Sequence, residues 1–224
     1  AIHNAGTITG SVSLGAGQNS FDNLAGGVFA MGSSVSLGAG NALTNRGTLS
    51  PGGSGAVSTV SLSGNLVQEA GGTLAIDIDG TANSADRINM SGSAILAGTV
   101  KANLLNPVST SQQFTILSAE GGVTANGLTL SGGLPVSFRI LYPTPNDVVL
   151  GATVNLNVGG LNDNQISLTD NLNTIIDGGL GGVAPVINAL IGISDRNSYK
   201  DALNQLLPEN RGYYTYMGSL TTPP

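Results

Sequence analysis

Asn45-Arg46-Gly47-Thr48-Leu49-Ser50-Pro51-Gly52-Gly53 opens the stretch, running on to Val100, whose reading decides the fold. Three short alternating runs follow it. Val60, Leu62 and Leu66 share one face, while Ser61, Ser63 and Asn65 share the other. Leu74, Ile76 and Ile78 alternate with Ala75, Asp77 and Asp79. Leu96, Gly98 and Val100 alternate with Ala97 and Thr99. Period-two alternation over so few residues reads as half-buried strands. Gly64, Gly71-Gly72, Gly80 and Gly92 punctuate the runs as turns.

Upstream, the pattern repeats. Ser11-Val12-Ser13-Leu14-Gly15-Ala16-Gly17 recurs letter for letter at Ser34–Gly40, 23 residues later. A second phrase begins at Asn4, Asn23 and Asn45, at spacings of 19 and 22. Repeats of this length built from strands and turns mean a solenoid. At roughly 3.3 Å per strand residue, one such period closes a triangular coil of three short strands. A leucine-rich horseshoe would need a Leu-rich consensus, an Asn ladder and helical return segments, and is set aside for lack of them. The expected fold is mainly β: a right-handed parallel β-helix over residues 1–158, of about seven coils by the period. Its expected interior is Leu14, Leu37, Leu49, Leu62, Leu66, Leu74, Ile76, Ile78, Ile88, Leu96, Val100, Phe138 and Ile140.

After Val100 the repeat loosens. Val136, Phe138, Ile140 and Tyr142 still alternate, and Val148, Leu150, Val154, Leu156 and Val158 supply the last strands. At Gly159-Gly160 the period shifts towards helix, so 159–224 reads as a short α-helical linker segment. A first helix is expected to open at Ser167–Asp170 and a second to follow Val186, Ile187, Leu190 and Ile191. A third is capped by Ser194-Asp195 or Asn197-Ser198 and stopped by Pro208. The apolar stripes need burial, either on the β-helix flank or against another copy of the chain.

These phrases carry a resemblance. "NRGTLSPGG", "VSLSGNLVQEAGGTLAIDIDG" and "ADRINMSGSAILAGTVKANLL", in that order, resemble the C-terminal passenger region of a monomeric type V autotransporter. Tyr199–Glu209 is similar to the segment that leads into such a protein's barrel. The resemblance implies a parallel β-helix with an autochaperone part from about residue 45. It also implies a Gram-negative bacterial source, secretion across the outer membrane to the cell surface, and the chain's own C-terminal β-barrel as partner. The function implied is a structural stem supporting folding and secretion. The alternative is an adhesin or effector fragment that binds a host-cell surface receptor or matrix, with a part in virulence. The opening inside a repeat reads as a piece of a longer passenger.

Composition narrows the rest. The chain of 224 residues has 34 Gly, no Cys and no Trp, and only 9% charged residues against about 25% in an average domain. Net charge −6 with seven Lys plus Arg argues against a nucleic-acid partner. No thiolate chemistry is available. His3 is the one histidine, which leaves a Ser-His-Asp triad unsupported. Asp77, Asp79, Asn83 and Asp86 cluster, but without the spacing of a calcium loop. They read as a solvated turn edge, and Asp86-Arg87 as a structural turn. Phe21 and Phe29 look isolated, and Phe114, Phe138 and Tyr142 fall on inward faces, so no aromatic platform for sugar is evident. Tyr213, Tyr214 and Tyr216 cluster near the end. The reading is of no enzyme: no catalytic, cofactor-binding or metal residue is assigned, and no cofactor is expected.

Overall fold

The computed structural model describes residues 1–108, 111–131, 134–179 and 181–207. The chain is mainly β, 46% strand and 19% helix, and forms a parallel solenoid of about five turns followed by a few helices. The first coil holds β1 (Ile2–Asn4) and β2 (Thr7–Ser13), and the second β3 (Ser20–Asn23) and β4 (Val28–Ser36). The third holds β5 (Ala42–Asn45), β6 (Thr48–Pro51) and β7 (Thr59–Ser63). The fourth holds β8 (Asn65–Gln68), β9 (Thr73–Asp79), the short β10 (Ser84–Ala85) and β11 (Arg87–Met90). The fifth holds β12 (Ala94–Leu96), β13 (Thr99–Asn106) and β14 (Gln112–Ala119). A last partial coil is β15 (Val123–Ala125) and β16 (Thr129–Ser131).

Stacking gives three faces. One is the parallel sheet β1-β3-β5-β8-β12-β15. The long β4 turns the corner between the other two, pairing with β6 through Val28–Met31 and with β7 through Ser34–Ser36. Alternation sets which side chains point inward. Leu37, Leu43, Leu49, Leu66, Ile76, Ile78 and Ile88 are fully enclosed, and Phe21 and Phe29 stack inside with ring centroids 4.6 Å apart. The two phenylalanines are therefore paired in the core, not isolated. Leu14, Phe138 and Ile140 are only half-buried, and Tyr142 is exposed, contrary to the inward positions expected of them.

The coil count falls short of seven for two reasons. Coils lengthen along the chain: Phe21 pairs with Ile2, but Ala94 pairs with Leu66 and Val123 with Ala94. And β17 (Val136–Leu141) and β18 (Asp147–Val154) leave the parallel stack. They form an antiparallel hairpin whose second strand pairs with β14. Residues 155–158, expected as strand, are not strand.

Three helices follow. α1 (Asp163–Gly178) begins earlier than the expected Ser167, because Asn162 and Gln165 form a reciprocal capping box. α2 (Ala184–Ile191) has Pro185 in its first turn, and α3 (Arg196–Leu206) is capped by Asp195, whose Oδ1 accepts from Ser198 N at 2.8 Å. The stop at Pro208 and the three terminal tyrosines lie outside the described residues. The stripes dock on the solenoid's end: Leu172, Ile176, Ile187, Leu190, Tyr199 and Leu203 are buried and join the solenoid core, while Ile175 stays exposed. Tyr199 Oη donates to Leu156 O at 2.8 Å and Asn173 Oδ1 accepts from Leu156 N at 3.0 Å.

A buried asparagine ladder, set aside with the horseshoe reading, does run up one corner. Asn4 Nδ2 donates to Asn23 Oδ1 (2.7 Å), Asn23 Nδ2 to Asn45 Oδ1 (2.8 Å), and Asn45 Nδ2 to Gln68 Oε1 (3.3 Å). Gln68 Nε2 ends the ladder on Ala97 O at 2.9 Å. Each amide also serves its own turn; Asn45 Oδ1 accepts from Gly47 N and its Nδ2 donates to Thr73 O. The turn packs so tightly that a Cβ at Gly47 would collide with Gly27 O and Leu24 O. Asn45→Ala should leave Gln68 Oε1 and the Gly47 N–H without these partners and cost about 1–3 kcal/mol. Urea unfolding and hydrogen exchange at Gly47 are the checks. An unchanged midpoint with unchanged exchange would show that the ladder does not hold the corner.

Candidate functional site

The acidic cluster of the sequence is the place to look for chemistry, because two of its carboxylates are buried. Asp77 leaves the outer side of β9, as alternation requires. It is nevertheless 4% exposed, since the loop after Pro51 folds over it. Its Oδ2 accepts from Gly55 N (2.5 Å) and Ala56 N (3.1 Å), and its Oδ1 from Asn103 Nδ2 (2.7 Å). The expected solvated turn edge is thus a covered one at this position. Asp79 is half-buried; it accepts from Ala82 N at 2.8 Å and Asn106 Nδ2 at 2.9 Å.

Asp86 is completely buried. Its Oδ1 accepts from Ser58 N (2.7 Å) and its Oδ2 from Asp77 N (2.9 Å). It therefore clasps the third coil to the fourth. Desolvation pushes its pKa up to about 7, two backbone N–H groups pull the other way, and the neighbouring Asp77 charge pushes further up. Both carboxylates spend their acceptor sites on the chain itself. The arrangement suits a structural clasp, and neither oxygen pair is left to serve a substrate.

The other nominated residues lie apart. His3 is exposed and its Nδ1 sits 3.1 Å from Asp22 Oδ2 on the face formed by β1 and β3. Asn83 stands on the turn between β9 and β10, with its Oδ1 accepting from Gln112 Nε2 at 3.2 Å. Among the described residues no group of three or more His, Cys, Asp or Glu is placed to hold a metal ion. No single helix among them is long and apolar enough to cross a membrane.

Sequence reasoning missed the ladder and the clasp. The repeated Asn at 4, 23 and 45 was the signal for the first. For the second, the signal was two acids beside glycine-rich loops in a chain with very few charges. No protein-family model matches the sequence, and no curated protein matches it.

Burial of Asp86 has a pH consequence. In the folded chain it binds its proton near pH 7, against 3.8 ordinarily. The folded state therefore holds more protons than the unfolded state between those limits, and stability falls as pH rises through that window. Asp147 and Asp195 are shifted down by hydrogen bonds from Ser118 and Ser198 respectively, so their effects fall below the same window. Urea midpoints should drop between about pH 5 and about pH 8, by a stability change on the order of 2–4 kcal/mol. Asp86→Asn should flatten that slope. A wild-type midpoint that holds steady or rises across the window would contradict the assignment.

Proposed function

We propose that this chain is the structural stem and autochaperone portion of a secreted autotransporter passenger. On this reading it supports the folding of the passenger and its export across the bacterial outer membrane to the cell surface. The observation that carries the proposal is the asymmetry of the solenoid. Its C-terminal end is closed: the β17–β18 hairpin extends the sheet beyond β14, and three helices bury Leu172, Ile187, Tyr199 and Leu203 on it. In the first coil, by contrast, Ile2, Ile8, Val12 and Leu14 are only half-buried.

Repeat proteins gain stability from neighbour contacts, so folding nucleates at one place and propagates. A closed, fully packed end supplies that nucleus. A chain exported with its C-terminal end outermost would then fold from the closed end, each new coil laying its strands on a finished one. The partner on this reading is the passenger's own β-barrel, and the role is mechanical, not enzymatic.

Ile76 sits at the centre of the stack with no exposed surface. Ile76→Asp buries an unpaired charge there and should cost several kcal/mol. In a barrel-bearing parent, surface display measured by antibody labelling should fall sharply. In the isolated chain, the protease-resistant piece spanning about residues 45–158 should disappear. Normal display together with normal protease resistance would refute the folding role.

A further inference from the structure

Among the described residues three buried side-chain polar atoms lack a hydrogen-bond partner: Arg87 Nε, Asn89 Oδ1 and Gln112 Oε1. Two of the three line one groove, of about 760 Å³, on the face built from β4, β7, β11 and β14. Unpaired buried polar groups are rare and call for a reason.

The groove floor is made by register. Ser34 pairs with Ser61, Ser61 with Asn89, and Asn89 with Ser118, so one column of small polar side chains crosses four rungs. At about 4.8 Å per rung the column is about 14 Å long. Ser36 pairs with Ser63 to start a second column two residues along. Hydroxyls and amides at this spacing offer donors and acceptors along a line, with no large side chain rising between them.

The charges of the groove are internally balanced. Arg87 Nη2 donates to Ser118 Oγ at 2.9 Å, and Ser118 Oγ donates to Asp147 Oδ1 at 2.6 Å. Glu120 adds a second carboxylate at the same end. An anion would meet one guanidinium already engaged through Ser118 with an acid, and a further acid beside it. The free pair is instead one N–H donor on Arg87 and one carbonyl acceptor on Asn89, two residues apart on the same side of β11. A hydroxyl group satisfies both at once, accepting from the first and donating to the second.

We propose that this groove binds a neutral, hydroxyl-rich chain, an oligosaccharide laid along the solenoid axis. It is held by hydrogen bonds to the serine column and to Arg87 and Asn89, with no aromatic stacking. Such recognition is shallow and fits weak affinity for a single chain, strengthened where many sites face a polymer.

The test uses the whole chain and a panel of neutral hexamers (cellohexaose, maltohexaose and mannohexaose), with oligogalacturonate as the anionic counterpart. Binding is followed by calorimetry and by NMR shifts of the Ser61 and Asn89 amides up to low millimolar ligand. At least one neutral hexamer is expected to bind, and the anionic one to bind more weakly. Ser61→Leu fills the floor at an exposed strand position and should abolish binding with circular dichroism and the thermal midpoint unchanged. Arg87→Met should weaken it about tenfold. Failure of every neutral hexamer overturns the proposal, as does tighter binding of oligogalacturonate, or binding that survives Ser61→Leu. None of these results bears on surface display, so this inference and the stem reading fail separately.

Discussion

Every coil of this molecule depends on in-register parallel pairing with the next. A single coil has one apolar interior and two rows of unpaired backbone groups, and it can satisfy neither alone. Stacking resolves both at once. Leu66 lies against Leu43 on one side and Ala94 on the other, and the same step brings the backbone N–H and C=O groups of β5, β8 and β12 into ladders. Stability is therefore a property of neighbours, and the ends of the stack are where it is weakest. The antiparallel hairpin and the docked helices answer that problem at one end by changing architecture.

Apolar alternation does not by itself fix the register. A slip of one residue turns the interior outward and is heavily penalised, but a slip of two keeps the same face inward. Buried polar groups make the finer distinction. Asn4, Asn23, Asn45 and Gln68 pair only when each sits directly above the next, and a two-residue slip would bury four amides without partners. Asp86 does the same job where the loops are longest. It reaches back to Ser58 N on the coil before and across to Asp77 N on its own coil. The cost is a carboxylate that is hard to ionise. The gain is that a coil carrying a hairpin insertion at β9–β10 still lands in register.

The fold was legible because its cause is periodic. Exact repeats at 11 and 34 and the Leu74-Ile76-Ile78 alternation state the coil directly. What stayed illegible depends on non-periodic chemistry. The coil number failed because loops such as 52–58 and 80–83 lengthen a coil without adding a rung. Asp77 was placed on the correct side of its strand, but the sequence does not announce that Gly55 and Ala56 fold over it. α1 was started late because Ser167–Asp170 resembles a cap, whereas the reciprocal pair Asn162 and Gln165 precedes it. Phe21 and Phe29 lie eight residues apart on different strands, and only the corner between β3 and β4 brings their rings together.

The interior consumes the apolar residues, so the outer faces are where the coils are free to differ, and they are not equivalent. Next to the β9–β13 pair, the loop over Asp77 covers part of one face. At the hairpin, Phe138 and Val136 meet Asn188 and Ile191 of α2, which covers another part. On the sheet β1-β3-β5-β8-β12-β15, outward residues vary from His3 and Asp22 to Val67 and Ile95, with no chemical column. Only on the face shared by β4, β7, β11 and β14 do outward residues repeat their chemistry from rung to rung. Serine is a poor strand former and contributes little to cross-strand packing. Stacking alone gives no reason to keep it at 34, 36, 61 and 63, nor to leave Arg87 Nε and Asn89 Oδ1 unpaired among them. Stability and recognition are thereby divided between the two sides of the same strands, the inward side setting the register and the outward side using it as a ruler.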